Sequence, residues 1–281
     1  MPPREVLVGS VPIGGTTPLA LIAGPCVIEG EEHLLGVAEE LQEICGRLRI
    51  PLVLKSSYDK ANRTALESFR GPGMERGLEV LGRVKEKTGL PVLTDVHEVA
   101  QVASAAEVVD ALQVPAFLCR QTDLLLAVGQ SGRAVNVKKG QFLSPGEVPW
   151  VVEKVVSTGN HRLLITERGT SFGYNNLVVD MRTLPIIRAL GYPVVFDATH
   201  SLQLPGGAGA ASGGLREYIP HLARAAVAAG CDAIFMEVHP DPGRAPSDGT
   251  TMWPLGELER LLRQLVRVAT AIREGDSRPT P

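Results

Sequence analysis

Along this 281-residue chain, one short apolar run after another ends in residues that can hold an anion, bind a cation or carry a proton. Cys26 follows residues 19–23; Lys55, Asp59, Lys60, Asn62 and Arg63 follow 51–54; Asp95, His97 and Glu98 follow 92–94. Phe117 and Arg120 come after 111–114, Lys138 and Lys139 after 134–137, and Glu167 and Arg168 after 163–166. Asp197 and His200 close 194–196, while Glu237, His239, Asp241 and Asp248 follow 233–236. Any one of these is an ordinary loop charge, but chemistry-bearing groups behind every run point to a common site. Lys55, Lys60, Arg63, Lys138 and Arg168 bring five cations together, a trap for a small, multiply charged phosphate or carboxylate. Cys26, His200, Glu237 and Asp248 supply a thiolate, an imidazole and two carboxylates, the donor types of a divalent-metal shell. Their spacing makes no compact motif. A buried small thiol, a helix-proximal histidine, a lysine partner and a turn aspartate are equally ordinary readings of the same four residues.

The elements that would position these groups are short and regular. The apolar runs are rich in Val, Ile and Leu and do not alternate, as strands buried on both faces of a parallel sheet do not. Stretches with helical spacing lie between them, at 33–48, 74–88, 148–158, 215–229 and 255–272. Eight strand-and-helix alternations in one chain of this length give a (β/α)8 barrel, whose catalytic residues belong at the C-terminal strand ends. A doubly wound open sheet is the rival, and it would want a GxGxxG loop where Gly24-Pro25-Cys26 stands. The chain reads as one barrel domain over 1–281, with a hairpin in 1–18 and a frayed tail at 274–281. The Gly- and Ala-rich segment 205–214 is either a lid or a passive loop.

Composition excludes other classes. Lys and Arg number 28 against 31 Asp and Glu, a net charge of −3 that offers no basic footprint for nucleic acid or an anionic membrane. The four cysteines, Cys26, Cys45, Cys119 and Cys231, form no CxxC pair and fit a reducing, cytoplasmic setting. The uncharged stretch 6–28 carries Pro12, Pro18, Pro25 and Gly14-Gly15, which would break a membrane helix, and no continuous apolar segment of a secretion signal follows the start.

Taken together, the motifs resemble the 3-deoxy-D-manno-octulosonate 8-phosphate synthase family. They include Ile22-Ala-Gly-Pro-Cys-Val-Ile-Glu29, Lys55-Ser-Ser-Tyr-Asp-Lys-Ala-Asn-Arg-Thr64, Leu93-Thr-Asp-Val-His-Glu98, Val135-Asn-Val-Lys-Lys-Gly-Gln-Phe142, Phe196-Asp-Ala-Thr-His-Ser201 and Phe235-Met-Glu-Val-His-Pro240. The resemblance implies a (β/α)8 barrel, usually a homotetramer, that condenses phosphoenolpyruvate with D-arabinose 5-phosphate in lipopolysaccharide biosynthesis. It implies that Lys60, Lys138 and Arg168 hold phosphoenolpyruvate, with Lys55 and the strand end from Gln113 to Ala116 nearby. Asn62, Arg63 and Thr64 fall in the pentose phosphate segment, and Phe117 and Arg120 look like residues lent by a neighbouring subunit. Cysteine at position 26, where a metal-independent class has Asn, implies one divalent ion per subunit (Zn, Fe, Mn or Cd) on Cys26, His200, Glu237 and Asp248. Whether that ion delivers water or orients the aldehyde stays open, as does the choice among Asp95, His97 and His200 for proton transfer. Thr64 replaces the usual Ser and keeps its hydroxyl, while Gly249-Thr-Thr-Met-Trp-Pro254 departs from the family's run after the aspartate. A sister synthase using erythrose 4-phosphate is the nearest alternative, distinguished by Lys60-Ala-Asn-Arg-Thr64 in place of a Lys-Pro-Arg-Thr-type motif. A phosphosugar-binding barrel without catalysis is the other.

Overall fold

The apolar runs pair side by side in parallel, and the last returns to the first. The computed structural model describes residues 3–63, 65–208 and 211–276. A hairpin of β1 (Glu5–Val8) and β2 (Val11–Gly14) leads into β3 (Ala20–Gly24), α1 (Glu31–Leu48), β4 (Leu52–Lys55), α2 (Met74–Thr88), β5 (Val92–Asp95) and α3 (Val99–Val108). There follow β6 (Ala111–Val114), α4 (Thr122–Gln130), β7 (Ala134–Lys138), α5 (Val148–Val156) and β8 (Leu163–Glu167). A two-residue ladder of β9 (Thr170–Ser171) and β10 (Leu177–Val178) precedes α6 (Thr183–Arg188) and β11 (Val194–Asp197). A second hairpin, β12 (Gln203–Ala208) with β13 (Ala211–Gly214), leads to α7 (Ile219–Ala228), β14 (Ala233–His239), β15 (Trp253–Pro254) and α8 (Leu258–Asp276). Neighbours run β3-β4-β5-β6-β7-β8-β11-β14, and β14 pairs with both β11 and β3, so the sheet closes into a (β/α)8 barrel.

Two apolar layers hold the barrel. Outside, the strands pack against the helices through residues such as Leu41, Leu54, Leu81, Leu112 and Leu262. Inside, Ile22, Val53, Leu93, Leu164, Val195 and Phe235 fill the lumen and run on into Val6, Val8, Val11 and Ile13 of the first hairpin. Ala20, Ala111, Ala134 and Ala233 are the first residues of their strands and belong to the same cluster. Small residues at the N-terminal rim leave room for the hairpin, which plugs that end and leaves the other end open.

Several boundaries move from those expected. Most barrel strands run one residue or more beyond the apolar run, into Lys55, Asp95, Lys138, Glu167, Asp197 and His239, because the ladder continues under the polar side chain. The last of these helices starts at Leu258 and continues to Asp276, so the expected frayed tail is helical over its first residues, while 277–281 lie outside the described residues. The segment 205–214 belongs to the β12–β13 hairpin, and residues 209 and 210 lie outside the described residues. Among the described residues no helix is long and apolar enough to cross a membrane.

Candidate active site at the C-terminal mouth

The strand ends open onto one cavity of about 700 Å³, lined by residues of β4 through β14 and their following loops. Backbone constraint starts at β3. A Cβ on Gly24 would fall on the carbonyl of Lys55, so only glycine lets the first two barrel strands approach this closely just before Cys26.

The donor set gathers at the cavity wall, with His200, Glu237 and Asp248 lining it and Cys26 behind them. Cys26 is fully buried, with Sγ 2.9 Å from Ser247 Oγ and 3.1 Å from Asp248 Oδ2. Ligand atoms of Cys26, Glu237 and Asp248 lie within 4.8 Å of one another. His200 stands just outside that trio, its Nε2 3.4 Å from Glu237 Oε2, an oxygen that is buried without a hydrogen bond. The other ring nitrogen, Nδ1, donates to Asp197 Oδ2 at 2.7 Å, while Asp197 Oδ1 accepts from the amides of Thr199 and His200. A carboxylate that fixes Nδ1–H turns Nε2 towards the ligand position, the usual support of a metal-binding histidine. Electrostatics agree. Burial opposes the charge on Glu237, but Lys55, His200 and Lys60 outweigh it and hold the carboxyl well below its usual range. Burial, with Glu237 beside it, pushes the Cys26 thiol well up, as expected of a thiol surrounded by acids. The residues present therefore fit a divalent ion.

The cations line the same cavity and are interleaved with the donors. Lys138 donates to Asp197 and sits 3.2 Å from the centre of the Phe235 ring. Arg168 donates from Nη2 to Gln203 Oε1 at 2.6 Å and leaves Nη1 buried without a partner. Lys60 Nζ lies 3.6 Å from Glu237 Oε1. Lys55 is already engaged, donating to Glu237 Oε1 at 2.6 Å and to the Cys26 carbonyl at 3.0 Å, so it anchors the carboxylate from beneath. On the β5 side, Asp95 accepts from Ser57 Oγ and from His97 Nε2, the latter at 3.0 Å. His97 lines the cavity and its Nδ1 is unpartnered. Burial opposes the Asp95 charge, but the His97 bond and the lysines Lys60 and Lys55 keep it below the usual carboxylate range.

The profile of the DAHP synthetase I family matches residues 5–274. Curated relatives include proteins of Trichlorobacter lovleyi, 59% identical over 96% of this chain and 99% of theirs, and Granulibacter bethesdensis, 61% identical over 93% of each. A third, from Geobacter sulfurreducens, is 58% identical over 96% of this chain and 99% of its own, and all three carry the name 2-dehydro-3-deoxyphosphooctonate aldolase. The chain belongs to the DAHP synthetase I family.

Within this DAHP synthetase I chain most of the expected residues converge. Lys55, Lys60, Asn62, Arg63, Asp95, His97, Gln113, Ala116, Lys138, Arg168, His200, Glu237 and Asp248 all line the same cavity. Phe117 also lines the cavity of its own chain, whereas Arg120 is exposed and outside it. Thr64 lies outside the described residues. Gln203 and Ser247 line the cavity too, and neither stood out in the sequence. Asp197 could be read as a strand end three residues before His200, but not as the group bonded to both His200 and Lys138. A second trio, Glu29, His33 and His239, also gathers donor atoms. There the Asp241 amide donates to His239 Nδ1 at 2.9 Å, which puts the ring proton on Nε2, 3.0 Å from Glu29 Oε1. That bond leaves His239 without a free lone pair for an ion.

Proposed function

We propose that the chain condenses phosphoenolpyruvate with D-arabinose 5-phosphate and water, giving 3-deoxy-D-manno-octulosonate 8-phosphate and inorganic phosphate. One observation carries the reading: Lys60, Lys138 and Arg168 line the same cavity as His200, Glu237 and Asp248, with Cys26 buried against Asp248, in a chain whose relatives bear the aldolase name. A trap of fixed cations suits a substrate carrying both phosphate and carboxylate, and two reactants held in one cavity gain much of their rate from placement.

The enol carbon must attack the aldehyde while water adds to the neighbouring carbon, where positive charge develops, and phosphate then leaves. Arg168 and Lys138 offset the charge of the phosphoenolpyruvate, with Lys60 between it and Glu237. Asn62 and Arg63, on the loop after β4, face the other reach of the cavity and suit the pentose phosphate; Thr64 is assigned there by resemblance alone. Gln113 and Ala116 shape the wall between them. Among the proton carriers, His200 has both ring nitrogens committed to Asp197 and the donor cluster, and Asp95 is held ionised. His97, which lines the cavity and is oriented by Asp95 through Nε2, is the group left to move a proton.

Cys26, His200, Glu237 and Asp248 would hold a divalent ion, whose chemistry when bound is to polarise and orient oxygen ligands. The donors accept Zn, Fe, Mn or Cd. The chain acts as a homotetramer in this reading, with Arg120 serving a neighbour's site. The experiment follows phosphate release from phosphoenolpyruvate with arabinose 5-phosphate or erythrose 4-phosphate, before and after exhaustive chelation. Turnover confined to the four-carbon sugar overturns the substrate assignment. Cys26→Asn is expected to lose tight metal binding by at least tenfold, and unchanged affinity by calorimetry would remove Cys26 from the ligand set.

A further inference from the structure

Gln203 begins β12, paired with Gly214 at the base of the hairpin, and its side chain reaches into the mouth of the barrel. Its amide makes two bonds of opposite sense. Oε1 accepts from Arg168 Nη2 at 2.6 Å, and Nε2 donates to Asp248 Oδ1 at 3.1 Å. The partners fix the amide's orientation, since a guanidinium can only donate and a carboxylate can only accept. Each bond takes one atom of a two-pronged group and leaves the other. On Arg168 the remaining prong is Nη1, buried and unpartnered. On Asp248 it is Oδ2, which faces Cys26 Sγ at 3.1 Å.

We infer that Gln203 is a positioning residue that couples the two halves of the site, so that an ion on the Asp248 side and phosphoenolpyruvate on the Arg168 side each strengthen the other's binding. Resting on the function proposed above, the inference adds a specific link within that site. The link works through orientation. With Asp248 engaged by a cation its carboxylate plane would be fixed, Gln203 Nε2 would be set against Oδ1, and the amide carbonyl would hold the guanidinium with Nη1 towards the anion. By thermodynamic reciprocity the anion returns the same factor to the ion. Cation and anion would also favour each other by simple charge, through the cavity and without Gln203, so the test must separate the bonded link from that background.

The test is a four-corner calorimetric cycle on the full-length chain, stripped of metal by chelation, titrated with Cd²⁺ with and without phosphoenolpyruvate alone, which lacks its co-substrate and is not consumed. Wild type is expected to bind Cd²⁺ about fivefold or more tighter when phosphoenolpyruvate is present, within the usual range of such couplings. Gln203→Met keeps the length of the side chain and removes both bonds. It should lower the coupling factor at least threefold while the melting temperature stays near that of wild type. Gln203→Glu keeps an acceptor for Arg168 but loses the donor to Asp248, so it too should lower the coupling factor, even though its added negative charge by itself favours Cd²⁺ and disfavours phosphoenolpyruvate. Wild-type coupling in Gln203→Met or in Gln203→Glu would overturn the inference. These outcomes stand apart from the failure of the functional reading, which would appear in wild type itself as absent turnover with arabinose 5-phosphate.

Discussion

Lys138 shows how burial and charge compete at a single residue. Desolvation draws its pKa down to about 8 even though Asp197 is bonded to it and works in the other direction. The protonated form is the one that holds an anion, so the charge is present below that value and lost as pH rises through it. The Kd of phosphoenolpyruvate is expected to be flat below about pH 7 and to climb up to about tenfold per pH unit above about 8. Lys138→Arg, which stays charged throughout, should flatten the climb. A wild-type binding curve that is level to about pH 9.5 would mean that Lys138 does not titrate where burial places it. His200 illustrates the opposite balance, because Asp197 and Glu237 overcome its burial and raise its pKa. Two buried basic groups bonded to the same aspartate thus move in different directions: Lys55 repels the charge on Lys138, whereas His200 is bonded to Glu237 as well as to Asp197.

At the scale of elements, the division of labour between the two ends of the barrel can be tested separately from chemistry. Ile13 of β2 is fully buried in the lumen cluster, at the end remote from the cations. Ile13→Ala should cost about 2–4 kcal/mol of stability, read by urea denaturation, while kcat changes little. A loss of kcat with no loss of stability would contradict a plug that only supports the barrel. The barrel itself was legible in the sequence because buried parallel strands need continuous apolar runs, and those runs recur with helical stretches between them. The strand ends were less so: a run stops being apolar at Lys55, Asp95 or Asp197, yet backbone pairing continues through them, and hydrophobicity alone cannot register a strand that ends in a charged group. The same limit applies within the site. Cys26, His200, Glu237 and Asp248 were readable because their types bind metals and they stand behind apolar runs. Gln203 was not, because its partners lie 35 and 45 residues away and an amide at the start of a glycine-rich hairpin has no distinguishing type or spacing.

For the whole molecule, the position of Arg120 is the most informative departure from its own chain's site. Phe117 lines the cavity of its own chain, but Arg120 is exposed and outside it. Large apolar side chains are also exposed after β7 and β8, among them Trp150 at 65% and Phe172 at 71%. Covering them with a second copy would bury that apolar surface and could carry Arg120 to a neighbouring mouth, where its charge would meet a phosphate. In a symmetric assembly the loan is reciprocal, so two inactive variants should repair each other. Lys60→Ala abolishes a site from within, and Arg120→Ala would abolish the neighbour's. Mixed after reversible dissociation, they should form some sites holding both native residues and recover up to about a quarter of wild-type activity. Unmixed controls should stay inactive, and Trp150→Glu, which puts a charge into the covered surface, should prevent both assembly and recovery by light scattering and phosphate release. If the mixture stays inactive while mixed assemblies demonstrably form, Arg120 serves no neighbour and each barrel works with the cations of its own mouth.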